Sequence, residues 1–342
     1  MLPWFQDLFP LYLAPMAGIT DTTFRQLCKE YGADVMVTEF VSAEGIFRKN
    51  ERTMEYLDFE EAERPLGVQL FGGDPEHLGE AAKMVLDWKH PDFLDINFGC
   101  PVNKVVNKNG GSSLLRDCPL LARVATAIVK AAAPHPVTAK IRIGWSAETI
   151  NATATARILE DCGIQAIAVH GRTKEQGYSG EADWNVIAEV AETVRVPVIG
   201  NGDITNARDV EHRKATTRIS GIMIGRAAMQ HPWMFREIKY YLATGAHLPP
   251  PTLNEIWRHI RRHCACEIER QEAEPRRIGP PGAGELHAMQ SMRTQLMAYS
   301  RGMPDAKRLR EKFAHVASLV QLDTIAEENI AQHSTGPHFA VA

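Results

Sequence analysis

Between residues 11 and 243, eight apolar runs of strand length alternate with amphipathic stretches of helical period. That alternation limits the fold more than any other feature of the chain. The runs are Leu11–Met16, Val35–Phe40, Leu66–Phe71, Phe93–Phe98, Val137–Ile143, Ala166–His170, Val196–Gly200 and Gly221–Ile224. Helix-start signals follow several of them. Asp21 precedes Thr22-Thr23-Phe24 as a capping residue, and Asp74-Pro75-Glu76 and Asp117-Cys118-Pro119 place proline in a first turn. Strand then helix, repeated in this way, predicts an α/β chain folded as a parallel (β/α)8 TIM barrel. A doubly wound open sheet is the alternative, but no G-x-G-x-x-G follows the first run.

The barrel is expected over residues 1–244, followed by a Pro-rich linker at 245–252. Helical periodicity returns in Leu253–Arg270 and Met289–Val320, so 253–320 reads as a small all-helical domain. Between these stretches, Pro275 to Gly284 reads as a loop. Residues 321–342 read as a flexible tail.

At 44% hydrophobic and 23% charged, the 342-residue chain has the composition of a soluble globular protein. No run approaches the roughly 18 apolar residues of a membrane span. Met1 to Leu13 hold no Lys or Arg, so no secretory signal is expected. The six cysteines lack C-x-x-C spacing, which fits reduced thiols in the cytoplasm. The net charge of -4 hides an asymmetry. Residues 1–244 carry 26 basic and 31 acidic side chains, whereas 253–320 carry 12 basic and 8 acidic. A basic helical domain on an acidic barrel points to a polyanionic partner. Candidate contacts are Arg258, Arg261, Arg262, Arg293, Lys307, Arg308 and Arg310.

In such a barrel the chemistry sits at the carboxyl ends of the strands. The fourth run exits as Asp95-Ile-Asn97-Phe-Gly99-Cys100-Pro101, where glycine permits a sharp turn and proline ends the strand. Cys100 is thereby presented beside the amide of Asn97. The fifth run places Lys140 and Arg142 on one face, inside an apolar strand, and that implies an anionic or strongly polar ligand. Gln69 sits among apolar neighbours in the third run, and His170-Gly171-Arg172 closes the sixth. Arg172 and Asp203 could meet the ligand, or pair with each other or with neighbouring loops. The small-residue turn Pro15-Met16-Ala17 would let backbone approach a flat ligand. Asn201-Gly202-Asp203 and Gly225-Arg226 are turns suited to phosphate.

These residues, in this order, resemble the tRNA-dihydrouridine synthase family, and within it the bacterial B-like branch. The matching segments are LAPMAGITDTTFR, GVQLFGGDPE, FLDINFGCPVNKVVNKNGGSSLL, AKIRIGW, AVHGRT, VIGNGDI and MIGRAAM. Residues 289–318 resemble the family's C-terminal helical domain. The resemblance implies an FMN-dependent enzyme that reduces the C5–C6 double bond of a tRNA uridine in the D-loop, with NADPH or NADH as reductant. It also implies that FMN is held by Pro15, Met16, Ala17, Gln69, Lys140, His170, Asn201, Gly202, Asp203, Gly225 and Arg226. Cys100 then gives the proton to C5, and Asn97, Arg142 and Arg172 contact the substrate. No metal, membrane or obligatory protein partner is expected, and the chain is expected to act as a monomer. The competing reading on the same barrel is a small-molecule FMN oxidoreductase of the dihydroorotate dehydrogenase type, which leaves the basic helical domain unexplained.

Overall fold

A computed structural model of the chain describes residues 2–6, 8–106, 110–273 and 283–333. They fall into two compact units, 1–227 and 228–342.

The first unit is built on nine strands among the described residues: β1 (Leu11–Leu13), β2 (Met36–Val37), β3 (Val41–Ser42), β4 (Leu66–Phe71), β5 (Phe93–Phe98), β6 (Val137–Arg142), β7 (Ile167–His170), β8 (Val198–Asn201) and β9 (Gly221–Ile224). Their order is β1-β9-β8-β7-β6-β5-β4-β2, with β3 also on β4, and every pairing is parallel. A parallel bridge between Tyr12 and Val35, with Leu13 N donating to Val35 O at 3.1 Å, joins β1 to the segment leading into β2 and closes the ring. The expected (β/α)8 barrel is therefore present.

The second apolar run departs from expectation, because it splits into β2 and β3. The Thr38 hydroxyl replaces a ladder partner at the break: its Oγ1 accepts from Gln69 N (3.1 Å) and donates to Glu39 O (2.9 Å). Glu39 Oε2 then accepts from Gly18 N at 2.7 Å, tying the break to the loop after β1. Polar side chains compete here with strand hydrogen bonds.

The three helices signalled by their caps form as expected. Asp21 accepts from Phe24 N, Asp74 from His77 N and Asp117 from Leu120 N, which opens helices Thr22–Glu30, Pro75–Lys89 and Cys118–Ala132. The strands between them are buried on both faces, as a parallel sheet requires. Each fully buried Leu, Ile or Val contributes about 1.5–3 kcal/mol. Tyr12, Val35, Val37, Phe93, Ala168, Ile199 and Met223 form one buried cluster with Leu2. Trp4 Nε1 donates to Tyr12 Oη at 2.6 Å, fastening the first residues to it.

The second unit is helical. It contains Met234–Thr244, Leu253–Ala273, Ala283–Ser291, Arg293–Tyr299, Ala306–Phe313 and Leu319–His333. Two boundaries differ from the sequence reading. Residues 228–244 belong to this unit rather than to the barrel: Trp233 meets His259 edge-on at 5.6 Å, and Gln295 Nε2 donates to Met229 O at 2.7 Å. Residues 321–333, read as tail, lie in a helix. Leu322 and Ile325 are buried in the unit's core, and Asn329 Oδ1 accepts from Trp257 Nε1 at 2.9 Å. Residues 334–342, and 275–282 of the expected loop, lie outside the described residues.

Candidate active site

Strand register arranges the polar side chains in neighbouring rows. Gln69 stands opposite Asp95, Asn97 opposite Lys140, Arg142 opposite His170, and His170 opposite Asn201. Parallel pairing puts Asn97, Lys140, Arg142, His170 and Asn201 toward the carboxyl ends of their strands, so one end of the barrel gathers them, with Gln69 and Asp95 at mid-strand beneath.

On the β4–β6 side a hydrogen-bonded chain runs from the interior to Cys100. Asp95 accepts from Thr138 Oγ1 (2.5 Å) and from Gln69 Nε2 (2.6 Å), and Gln69 Oε1 accepts from Asn97 Nδ2 (2.7 Å). Asn97 Oδ1 accepts from Gly99 N (3.0 Å) and Cys100 N (2.8 Å). Gln69, expected to touch the cofactor, has no exposed surface and reaches the mouth through Asn97. Asn97 shapes the Gly-Cys turn with its oxygen and keeps one Nδ2 hydrogen for a ligand. Arg142 holds the other side of the turn, with Nε on Gly99 O at 2.9 Å.

Behind Cys100 the chain folds back, and Ser112 Oγ donates to Cys100 O at 2.8 Å. A side chain on Gly111 (φ 58°) would put its Cβ 2.9 Å from that carbonyl, so only glycine fits this close approach. Cys100 is 6% exposed. Burial pushes its thiol up, against the opposing pull of a Val102 backbone hydrogen bond and the charges of Arg142 and Lys140. Burial thus favours the protonated thiol over the thiolate.

Lys140 is half-buried. Burial first and Arg142 second bring its ammonium down to about 8, while Asp95 and Cys100 pull the other way. His170 is held neutral, far below the ordinary imidazole range, by burial and by the charges of Lys140, Arg142, Arg172 and Arg226. Four cations thus converge on one neutral ring. On the β8–β9 side Asp203 is the carboxylate that answers them: its Oδ2 meets Arg172 Nη2 at 2.8 Å and its Oδ1 meets Arg226 Nη2 at 3.1 Å. Burial raises the Asp203 carboxyl, but the hydrogen bonds from Arg172 and the Ala182 amide outweigh this and lower it.

The expected residues of the β1 loop also stand at this end. Met16 N donates to Thr20 Oγ1 at 2.9 Å, and Ala17 is exposed. A Cβ on Gly225 would lie 3.6 Å from Met16 Sδ, so the ends of β1 and β9 approach closely. Three features fit a flavin mononucleotide. Cations outnumber carboxylates around His170, as an anionic ring and a phosphate require. The buried Nη1 of Arg172 has no partner among the described residues. The Gly202-Asp203 turn (φ 135° and 53°) lies beside Arg226.

Tyr178 gave no signal in the sequence beyond its flanking glycines. Its ring stands 59% exposed, 6.3 Å from the His170 ring, with the guanidinium carbons of Arg226 and Arg142 at 4.9 and 5.8 Å from its centre. Trp145 was missed too. It lies between Arg116 (3.7 Å) and Lys174 (4.5 Å) in the loop after β6. Among the described residues, no cluster of His, Cys, Asp and Glu could hold a metal, and no helix is long and apolar enough to cross a membrane.

Fold and site together define a parallel (β/α)8 barrel with a buried, protonated thiol and a cluster of cationic side chains at the carboxyl end of its strands. Residues 12–335 match the dihydrouridine synthase (Dus) family, and the chain belongs to that family. It is 44% identical to tRNA-dihydrouridine synthase B of Xanthomonas campestris pv. campestris over 241 residues, covering 70% of this chain and 72% of that protein. The Pseudomonas putida protein of the same name is 44% identical over 255 residues, with 75% of each chain covered. A probable tRNA-dihydrouridine synthase of Rickettsia bellii is 37% identical over 301 residues, with 88% of each covered. Among solved structures, a 2-naphthoyl-CoA reductase complex matches 67% of this chain and 50% of its own, with TM-score 0.50 and 12% identity, a likeness of fold alone.

Proposed function

We propose that this chain is a tRNA-dihydrouridine synthase that reduces the C5–C6 double bond of a D-loop uridine, with bound FMN and with NADPH or NADH as reductant. The carrying observation is Cys100, a protonated thiol whose amide is fixed by Asn97 in the turn that Arg142 grips. In this reading Pro15–Ala17, Lys140 and His170 hold the ring system, with Gln69 acting through Asn97. Asn201–Asp203, Gly225 and Arg226 hold the phosphate. When bound and reduced, the flavin supplies hydride to C6 of the uracil.

The chain supplies the rest. Charge develops at C5 and O4, and the S–H bond of Cys100 breaks as the C5–H bond forms. The thiolate left behind is stabilised by the nearby charges of Lys140 and Arg142 until solvent returns a proton. Asn97 offers its remaining Nδ2 hydrogen to a uracil oxygen. His170, kept neutral, presents hydrogen-bonding nitrogens without adding a further positive charge. The target base must leave its stack to reach the barrel end. In the helical unit, exposed Arg258, Arg261, Arg262, Lys307, Arg308 and Arg310 are suited to the phosphates of the same tRNA. Six free cysteines fit work in the reducing cytoplasm, and we infer a monomer.

The test is direct. Purified protein loaded with FMN is given NADPH or NADH and unmodified tRNA, and dihydrouridine is read by mass spectrometry of the digested RNA. A gain of two hydrogens on uridine is expected. Reduction of free orotate or uracil, with none on tRNA, would replace this reading by the small-molecule one.

A further inference from the structure

We infer that Asp95 is a positioning residue: its buried carboxyl fixes which way the side-chain amides of Gln69 and Asn97 face, and through them it holds the Gly99-Cys100 turn and aims the free amide hydrogen of Asn97 at the substrate. This inference rests on the proposed activity and adds to it the group that orients the polar side chains beside the thiol.

Two backbone donors in the turn set the direction of everything beneath them. Gly99 N and Cys100 N both donate to Asn97 Oδ1, at 3.0 and 2.8 Å. An amide that accepts with its oxygen donates with its nitrogen, so Asn97 Nδ2 faces inward and needs an acceptor. Gln69 Oε1 supplies it at 2.7 Å. Gln69 is thereby turned the same way, and its Nε2 needs an acceptor in its turn. Gln69 has no exposed surface, so bulk solvent cannot provide one. Asp95 Oδ2 stands there at 2.6 Å, and Asp95 Oδ1 takes the Thr138 hydroxyl at 2.5 Å. A carboxylate only accepts, so the row runs in one direction from Asp95 to the turn. With both amides flipped, Asn97 Nδ2 would face two backbone N–H groups, and all three donors would lack a partner.

For stability alone, a hydrocarbon side chain would serve as well at this place. Asp95 is 5% exposed, and apart from Tyr12 and Thr138 the side chains lining the space beside it are apolar. Among the described residues no cation stands within ion-pair distance of it, whereas buried Glu63 meets Arg25. Burial raises the Asp95 carboxyl, and the hydrogen bonds from Gln69 and Thr138 and the charge of Lys140 offset this only in part. Burying a carboxyl in this way is costly. What it contributes is direction. Strand register sets Gln69 opposite Asp95 and Asn97 opposite Lys140, so an acceptor at mid-strand decides how the amide nearest the thiol is turned.

The experiment is a double-mutant cycle on the FMN-loaded enzyme: wild type, Asp95→Asn, Gln69→Glu and the two combined. Gln69→Glu alone sets an acceptor against Asp95. Its kcat on unmodified tRNA should fall about 10- to 100-fold, with KM within about 3-fold of wild type. Adding Asp95→Asn restores the direction, because the new amide donates to the new carboxylate while its oxygen still receives Thr138. About 10-fold or more of the lost kcat should return. A role in filling space predicts losses that add, and additivity would overturn the inference. Alkylation of Cys100 by iodoacetamide, read by peptide mass mapping without tRNA, reports on the turn itself. It should run about 3-fold or more faster in Gln69→Glu and slow again in the combined variant. Should Gln69→Glu alone not fold, a combined variant that folds and protects Cys100 is the expected result, and one that does neither overturns the inference. Asp95→Leu is the second arm, since it fills the space and removes the acceptor. Its kcat per folded, flavin-loaded molecule should fall about 10- to 100-fold. Wild-type kcat and unchanged Cys100 alkylation in that variant would overturn the inference too. Wild type that forms no dihydrouridine sinks the proposed activity itself, while the alkylation rates still test what Asp95 orients.

Discussion

The barrel mouth and the helical unit both bury polar side chains, but they balance them differently. In the helical unit the buried groups are largely neutral and answer one another. Tyr299 Oη lies 2.8 Å from His259 Nε2 and 2.9 Å from His263 Nδ1, Trp257 bonds Asn329, and buried Glu267 is paired by Arg270 at 2.8 Å. At the mouth, Lys140 and Arg142 have no carboxylate within ion-pair distance among the described residues, and one carboxylate, Asp203, serves both Arg172 and Arg226. The barrel can balance a buried cation when only stability is at stake. Arg25, 2% exposed, meets Glu63 at 2.5 Å and also donates to Thr20 O, Thr22 Oγ1 and Asp58 O. A surplus of buried positive charge marks where a ligand completes the structure. Balanced polarity marks where the fold is already complete.

The largest effect expected from this contrast is chemical. Cys100→Ala leaves the cationic mouth intact and removes only the acid. Dihydrouridine formation should fall about 10²- to 10⁴-fold, the usual contribution of a positioned proton donor. Flavin content and tRNA affinity should hold. Rapid-quench kinetics on unmodified tRNA reads the rate, and a variant that turns over like wild type would remove Cys100 from the chemistry.

Next comes a pair of arginine variants that tests the contrast itself. Arg25→Met strands Glu63 without its partner in a fully buried position and should cost about 3–5 kcal/mol of stability. Flavin content of the folded fraction should not change. Arg142→Met strands neutral carbonyls of Gly99, Thr173 and Gly177 instead, a smaller loss of about 1–3 kcal/mol. It also frees the Cys100 turn and the Tyr178 loop, so activity should drop well beyond the loss of folded protein. Denaturant titration together with flavin-normalised activity separates the two. If both variants lose stability and specific activity in the same proportion, the distinction between balanced and surplus charge has no functional meaning.

Much of this was legible in the sequence, for reasons that particular residues make clear. The apolar runs marked the strands because parallel strands are buried on both faces, and the turns after them marked the mouth. Asn97, Cys100, Lys140 and His170 could be placed there by strand position alone. Alternation gives the face of a strand and says nothing of hydrogen-bond partners, so the bonds of Arg142 to the carbonyls of Gly99, Thr173 and Gly177 had no signal, whereas the pairing of Arg172 with Asp203 and with loop backbone was among the readings the sequence left open. Thr38 and Glu39 broke a run that looked continuous because a polar side chain's choice of a ladder partner is decided by a neighbouring strand. The helix over 319–333 carried a signal, with Leu322, Ile325 and Asn329 at helical spacing, but the acidic residues between them diluted it. Tyr178 was invisible, since an aromatic residue in a polar loop acquires meaning only from what pins the loop.

The smallest expected effect probes the balanced side. Burial, with His263 and Arg262 as lesser causes, brings His259 down to about 3; burial, opposed by Glu267, brings His263 down to about 4. Both folded values lie below the ordinary 6.5, so each ring adds stability that is fully present above that pH. It is lost as pH falls from about 6.5 toward 4, where the unfolded chain takes up protons that the folded chain refuses. At pH 5 the loss is about 2 kcal/mol per imidazole. The geometry explains the refusal. One tyrosine hydroxyl serves two imidazole nitrogens by donating to one and accepting from the other, and an imidazolium, which only donates, breaks that arrangement. Thermal unfolding followed by circular dichroism at pH 7 and pH 5 should therefore show acid destabilisation in wild type. In His263→Gln, which keeps a polar partner for Tyr299 but cannot titrate, the pH 7-to-5 difference should be smaller by about 2 kcal/mol. An equal pH difference in both proteins would mean that the buried imidazoles take up protons as freely in the folded state as in the unfolded one, and that the helical unit's polar core is not closed on itself.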